Sequence, residues 1–250
     1  MSLREFVAAR EADPVSLVVA NRTEPRPLYR LLERTFRDQS VDVSEADLPD
    51  VDDDVVLLVA DGEVVASSPL SALSEAILLV NSDLYVTGTR DLPAVDLPDV
   101  LAGLADTPFH LRGFPASNRE KLLLVVSRYV ERLAWVAGDG RIRSSFQHLS
   151  RLSDERGTRR VYERLADSVD VHLYGVPDRL PPRELGATVH AGYDEEFRRS
   201  WFVVFTPGPE ADVDPAALVA VEERPGEWDG FWTRRPGLVA DVNRYVEANL

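Results

Sequence analysis

The sequence predicts an α/β protein of mixed α+β character: an N-terminal mixed sheet with covering helices, then long helices packed on a mainly antiparallel sheet. Three observations carry this expectation. The first is an apolar run, Ser16-Leu17-Val18-Val19-Ala20, followed by a turn and an amphipathic stretch with Leu28, Leu31, Leu32 and Phe36 on one side. The second is Asp61-Gly62 between two apolar-rich runs, the strongest hairpin signal in the chain, because this pair adopts the positive φ angles of a tight I′ turn. The third is a succession of strand candidates after residue 170 with no helix between them, which implies antiparallel pairing.

Taken in order, Leu3, Phe6 and Val7 mark one side of a short first helix. Thr23 is placed to cap the helix that follows the first strand, with proline in its first turn. This strand-turn-helix unit resembles the start of open α/β sheets but lacks the glycine fingerprint, so no nucleotide site follows from it. Beyond the acidic loop 47–54 and the hairpin, Ser68-Pro69 reads as a cap and first position for a helix with Leu70, Leu73, Ile77 and Val80 buried. Leu84-Tyr85-Val86-Thr87-Gly88 is a further strand candidate.

A linker with two Leu-Pro steps leads to a short helix near 97–105 and an extended Phe109-His110-Leu111. Ser117-Asn118-Arg119-Glu120 is a capping box, in which the Ser117 hydroxyl and the Glu120 carboxylate satisfy each other's free backbone donors. It opens the clearest amphipathic helix of the chain, bearing Leu122, Val126, Tyr129, Leu133 and Val136 and ending at Gly138-Asp139-Gly140. A boundary near 113–117 therefore divides an N-terminal α/β part, 1–114, from a C-terminal helix-and-sheet part, 115–250, unless the two form one continuous unit.

Residues 142–178 read as an Arg-rich helical segment running into a strand, since Phe146, Leu149 and Leu152 recur three apart and Val161, Tyr162 and Leu165 resume the stripe. Strands are then expected at 171–174, 187–191, 201–206, 217–222 and 230–233. Leu238, Val242, Tyr245 and Val246 close the chain on an amphipathic helix.

Composition narrows the function. The formal charge is −15, from 43 acidic and 28 basic side chains, and Lys121 is the only lysine. So acidic a surface repels phosphates, and direct nucleic-acid binding is not expected. An acidic, lysine-poor, arginine-retaining chain fits an extremely salty cytoplasm, where salt screens carboxylate repulsion over about 3 Å. With no cysteine, disulfides, thiol nucleophiles and thiolate metal sites are excluded. No apolar run approaches the ~20 residues of a membrane span, and the first residues lack a basic start and apolar core, so a cytoplasmic location is expected.

Candidate chemistry is sparse. His172 and Tyr174 share one strand face opposite Val171 and Leu173, and His190 on a neighbouring strand could join them in a polar pocket. Too few ligands converge for a metal site, and none is expected. His148 lacks the acidic neighbour of a phosphoacceptor histidine. Arg151, Arg156, Arg159, Arg160 and Arg164 suit an anion, but Asp154, Glu155 and Glu163 among them favour an ion-pair network. Trp201 and its aromatic neighbours fit a core or a pocket wall. No Walker loop, nucleophile elbow, dinucleotide fingerprint or H-E-x-x-H pattern is present, which weighs against an enzyme and identifies no cofactor.

Ser145-Phe146-Gln147-His148-Leu149-Ser150-Arg151-Leu152, Val161-Tyr162-Glu163-Arg164-Leu165-Ala166, residues 171–178, Ser200-Trp201-Phe202-Val203-Val204-Phe205 and Gly230-Phe231-Trp232-Thr233 together resemble the DICT-domain family. This sensory domain is named for its occurrence in diguanylate cyclases and two-component systems, and the stand-alone form of halophilic archaea is the more similar one. The resemblance implies signal input, with no residue-level ligand assignment to transfer. No kinase, cyclase or DNA-binding module is recognisable in these 250 residues, so signalling would pass through a separate protein or through a change in assembly such as a homodimer. The expectation is a non-enzymatic sensor that binds a small-molecule ligand or protein partner between the helix bearing His148 and Arg151 and the strands bearing His172, Tyr174 and His190. A transcriptional regulator or accessory protein, and an enzyme acting on a phosphorylated or carboxylated metabolite, are the alternatives.

Overall fold

The computed structural model describes residues 2–11, 14–36, 41–79, 97–112 and 120–250. Nine helices and two mixed sheets are formed among them, in an α+β arrangement.

The N-terminal sheet has four strands in the order β2-β1-β3-β4: β1 Val15–Ala20, β2 Val41–Ala46, β3 Val55–Ala60 and β4 Glu63–Pro69. β1 and β2 are parallel, joined through α2 (Arg26–Phe36), whereas β1–β3 and β3–β4 are antiparallel. The β3–β4 hairpin turns at Asp61 (φ 51°) and Gly62 (φ 80°), as the Asp-Gly pair predicts. Two caps differ from expectation. Thr23 donates its amide and hydroxyl to Asp54, which also takes the Glu24 amide, so Asp54 and not Thr23 organises the entry to α2. Ser68 belongs to β4, and its hydroxyl accepts the Val100 amide at 3.1 Å instead of capping α3 (Leu70–Leu79). Val80, the strand expected at 84–88, the first three residues of the capping box and the 113–117 boundary lie outside the described residues.

The second sheet has seven strands in the order β5-β11-β10-β9-β6-β7-β8. These are β5 Phe109–Arg112, β6 Arg141–His148, β7 Asp170–Val176, β8 Thr188–Ala191, β9 Ser200–Thr206, β10 Ala216–Arg224 and β11 Glu227–Thr233. Pairing is antiparallel from β5 to β6 and parallel from β6 through β7 to β8. The expectation of antiparallel pairing for the strands after 170 therefore fails at β7–β8, because the link between them is long enough to return the chain to the same end of the sheet.

The helical reading of the first part of residues 142–178 is also corrected: they begin as strand β6. Ile142, Ser144 and Phe146 alternate with Arg143 and Ser145, a two-residue period that small serines hide in the sequence. Gln147 takes a left-handed φ of 56°, and the β6–β7 register shifts between Ser145 and His148. Helix starts only at α6 (Arg151–Asp154) and α7 (Arg156–Leu165), where Gly157, Thr158, Val161, Tyr162 and Leu165 form the buried stripe.

Both faces of the large sheet are covered, which is why its central strands are almost continuously apolar. Val203, Phe205, Leu218 and Trp232 enter one core with α5 (Glu120–Ala137) and α7, continuous with the N-terminal unit through Leu17, Val56 and Leu73. Their neighbours Phe202, Val204, Val219 and Phe231 enter a second core with α1 (Leu3–Ala8) and α9 (Pro236–Asn249). Three short elements complete the fold: α4 (Asp99–Gly103), a 3₁₀ turn at Arg183–Leu185, and α8 (Glu195–Arg199).

Candidate functional site

The sheet separates residues that the sequence reading placed together. His172, Tyr174 and His190 do meet, on the face covered by α9. Arg151 and Trp201 lie on the opposite face, under α5 and α7. His148 is at the end of β6, exposed, with Nδ1 3.3 Å from Asp178. The single pocket expected between a His148–Arg151 helix and the histidine strands is therefore replaced by two separate sites and a surface pair.

On the α9 face, the rings of Tyr174 and His190 stack at 4.3 Å and 6°, and His172 and His190 stack at 5.1 Å and 19°. His172 Nε2 faces Asp170 at 3.1 Å, so it carries the proton in the neutral ring, leaving Nδ1 to accept. Two donors aim at that Nδ1: His190 Nε2 at 2.8 Å and Arg143 at 3.3 Å. Arg143, fully buried, also donates to Tyr174 Oη at 2.6 Å and Asn243 at 2.9 Å, and pairs with Glu247 at 2.9 Å. Burial pushes the His190 pKa down, and the neighbouring His172 and Arg143 charges push the same way. Burial raises the Tyr174 phenol against the opposing pull of Arg143. For Asp170 burial acts upward, but hydrogen bonds from Arg141 and His172 outweigh it and hold the carboxyl low. Within the cluster the rings and the Arg143 guanidinium bind one another, while Arg143 Nη2, paired by charge with Glu247, makes no hydrogen bond. Among the described residues, no three His, Asp or Glu side chains are grouped so as to hold a metal ion.

On the other face is a pocket of about 420 Å³, its mouth included, between α5, α6–α7 and strands β6 and β9. Its outer wall is half-buried and largely apolar: Leu124 from α5, Phe146 from β6 and Trp201 from β9, with Arg151 and Glu155 beside them. Its floor is polar and buried: Ser127, Arg128 and Glu131 from α5, and Thr158 and Tyr162 from α7, with Ser145 of β6 at the edge, its hydroxyl donated to the Ser200 carbonyl at 2.9 Å. Arg128 pairs with Glu131 and donates to Thr158 at 2.8 Å, and Thr158 donates to Glu155 at 2.9 Å. Tyr162 has one proton and two partners, Glu131 and Ser144, each at 2.7 Å, so it donates to the carboxylate and accepts from the serine. Full burial, reinforced by the Glu131 charge, raises its pKa well above the ordinary value. Trp201 Nε1 donates to Ser127 at 3.0 Å and fixes the indole against the opening.

Sequence reasoning missed Arg128, Glu131 and Arg143. The first two had a visible signal: Leu124, Ser127, Arg128 and Glu131 fall at i, i+3, i+4 and i+7, a polar-edged stripe on an otherwise apolar helix. Arg143 had none, since an arginine in a strand gives no hint of a helix closing over it. Within the Arg run, Arg159 pairs with Glu163 at 2.7 Å, and neither Arg160 nor Arg164 lacks a partner. A second pocket, lined by Phe36, Leu101, Phe109 and Trp232, has Thr107 as its polar side chain and nothing charged to orient a ligand.

No helix of the described residues is long and apolar enough to cross a membrane. No family model matches the chain, and no curated protein matches it. Among solved structures, a polyphosphate kinase from Porphyromonas gingivalis aligns with 98% of this chain and 47% of its own, at 10% identity and a TM-score of 0.33. The chain thus spans about half of that kinase, and a likeness of this size decides neither fold nor function.

Proposed function

We propose that this is a non-enzymatic, cytoplasmic sensory protein of the DICT type, which binds a small ligand in the α5–α7 pocket and passes its state to a separate output protein. The observation that carries the reading is the pocket's construction: half-buried aromatic walls over a buried floor of hydrogen-bonded polar groups, the usual make-up of a small-molecule site. The stretches that resemble the sensory family supply much of that pocket: Ser145, Phe146 and Arg151 from one, Tyr162 from another, Trp201 and Val203 from a third.

The relay would run through packing. α5 and α7 are tied across the pocket by Arg128–Thr158 and Tyr162–Glu131, so a ligand with different affinity for two spacings of these helices shifts the population between them. Direct nucleic-acid contact and catalysis form no part of the proposal.

Native mass spectrometry on protein purified at high salt tests it. A stoichiometric small molecule, lost in Trp201→Ala but retained in His172→Ala, is the expected result. Retention by both variants would place the ligand elsewhere, and a co-purifying protein without a small molecule would favour a partner-binding role.

A further inference from the structure

We infer that the α5–α7 pocket takes a small organic acid, with its carboxylate on Arg151 and a ring-sized apolar body against Phe146, Trp201 and Leu124. The inference rests on reading this pocket as the ligand site and adds the chemical class of the ligand.

Charge within the pocket is the argument. It holds two arginines and two glutamates. Arg128 is already engaged, by Glu131 and by Thr158, and Glu131 is engaged at both oxygens, by Arg128 and by Tyr162. Glu155 accepts the Thr158 hydroxyl. That leaves Arg151, half-buried at the wall, whose guanidinium has no hydrogen bond or ion pair among the described residues. An arginine without a partner beside an apolar wall is suited to a carboxylate, whose two oxygens match the guanidinium fork.

The same inventory limits the anion's charge. The two arginines and two glutamates sum to zero, so a bound monoanion leaves the pocket at −1 and a phosphate dianion at −2 beside Glu131 and Glu155, which favours the singly charged ligand. Half-buried Leu124, Phe146 and Trp201 supply the apolar contact for the body of the ligand.

Phenylacetate, phenylacetamide and phenethylamine probe this with one ring and three charge states. Binding to the full chain is followed by tryptophan fluorescence, since Trp201 lies in the wall with Trp228 6.1 Å away, and by thermal shift. Phenylacetate is expected to bind most tightly, and Arg151→Gln is expected to weaken it about tenfold or more, as loss of a charge-assisted hydrogen bond does. Phenylacetamide binding should not change in that variant. If the amide equals the acid in the wild type, or the amine exceeds it, the organic-acid assignment is overturned while the pocket remains a ligand site. Binding of the acid that is unchanged in Arg151→Gln overturns the role of Arg151. Absence of binding by all three overturns the assignment as well, and native mass spectrometry then decides separately whether the pocket holds a ligand at all.

Discussion

The Tyr162 hydroxyl lies 2.7 Å from a carboxylate oxygen of Glu131, in a region where the tyrosine is completely buried and the glutamate almost so. Because Tyr162 also accepts from Ser144, one phenol satisfies groups on α5 and β6 at once. Tyr162→Phe keeps the ring and its edge-to-face contact with Phe146 but leaves a buried carboxylate oxygen and a buried hydroxyl short of a partner. A loss of about 1–3 kcal/mol is expected, read from urea denaturation. A loss below a few tenths would mean that Glu131 and Ser144 find other partners.

Arg128 and Glu131 form a buried pair one helical turn apart on α5. Removing either partner alone leaves an uncompensated charge away from water, and Glu131→Leu or Arg128→Leu should each cost about 3–5 kcal/mol. Removing both exchanges an ion pair for apolar volume. The double variant is expected to be more stable than the sum of the single losses, by a coupling of about 1–3 kcal/mol in a double-mutant cycle. Additive losses would show that the two side chains act independently, through Thr158 and Tyr162.

Much of this fold could be read from local chemistry. Asp61-Gly62 set its hairpin, and β9, β10 and β11 announced themselves by apolar runs. The strand alternation that put His172 and Tyr174 on one face, and His190 near them, also holds. The failures have physical causes. Phe146, Leu149 and Leu152 mimic a helical stripe although a strand ends between them, and Gln147 with φ 56° is the break that no local preference revealed. The β7–β8 pairing depends on where a Pro-rich link delivers the chain, a property of the whole sheet. Above all, the sequence does not state which side of a sheet a residue faces relative to a distant helix, and this is what parted Arg151 and Trp201 from the histidines.

The histidine stack should make stability depend on pH near neutrality. Burial, with His172 and Arg143 beside it, lowers the His190 pKa, so the folded chain binds its proton less readily than the unfolded chain, where histidine titrates near ~6.5. Its contribution is therefore full above ~6.5 and is lost as the pH falls toward the lower folded value. Asp170 and Glu247, the acids nearest the cluster, do not reverse the shift. In His190→Gln the fall in urea midpoint between pH 7.5 and 5.5 should be shallower than in the wild type, whatever the absolute stability of the variant. Identical slopes would assign the acid sensitivity to another group.

Asp178 should act in the opposite range. Burial tends to raise its pKa, but the Ser150 hydroxyl and amide, the Arg179 amide and the His148 charge outweigh this and hold it at about 2. Its carboxylate pins the β7 exit to the turn that starts α6, with Ser150 Oγ at 2.7 Å and both amides at 2.9 Å. An unfolded aspartate titrates near ~3.9, so the stabilisation is complete above that pH and disappears as pH falls through about 2. Asp178→Ala should therefore be less stable than the wild type at pH 7, with a gap that narrows steadily below pH ~4. Because Arg151 follows Ser150 directly, the same variant should loosen the wall of the α5–α7 pocket. Weaker phenylacetate binding at pH 7 with phenylacetamide weakened in parallel is the expected signature of lost positioning, as opposed to the lost charge of Arg151→Gln. Selective loss of the acid alone would mean that Asp178 governs the charge state of the pocket and not its shape.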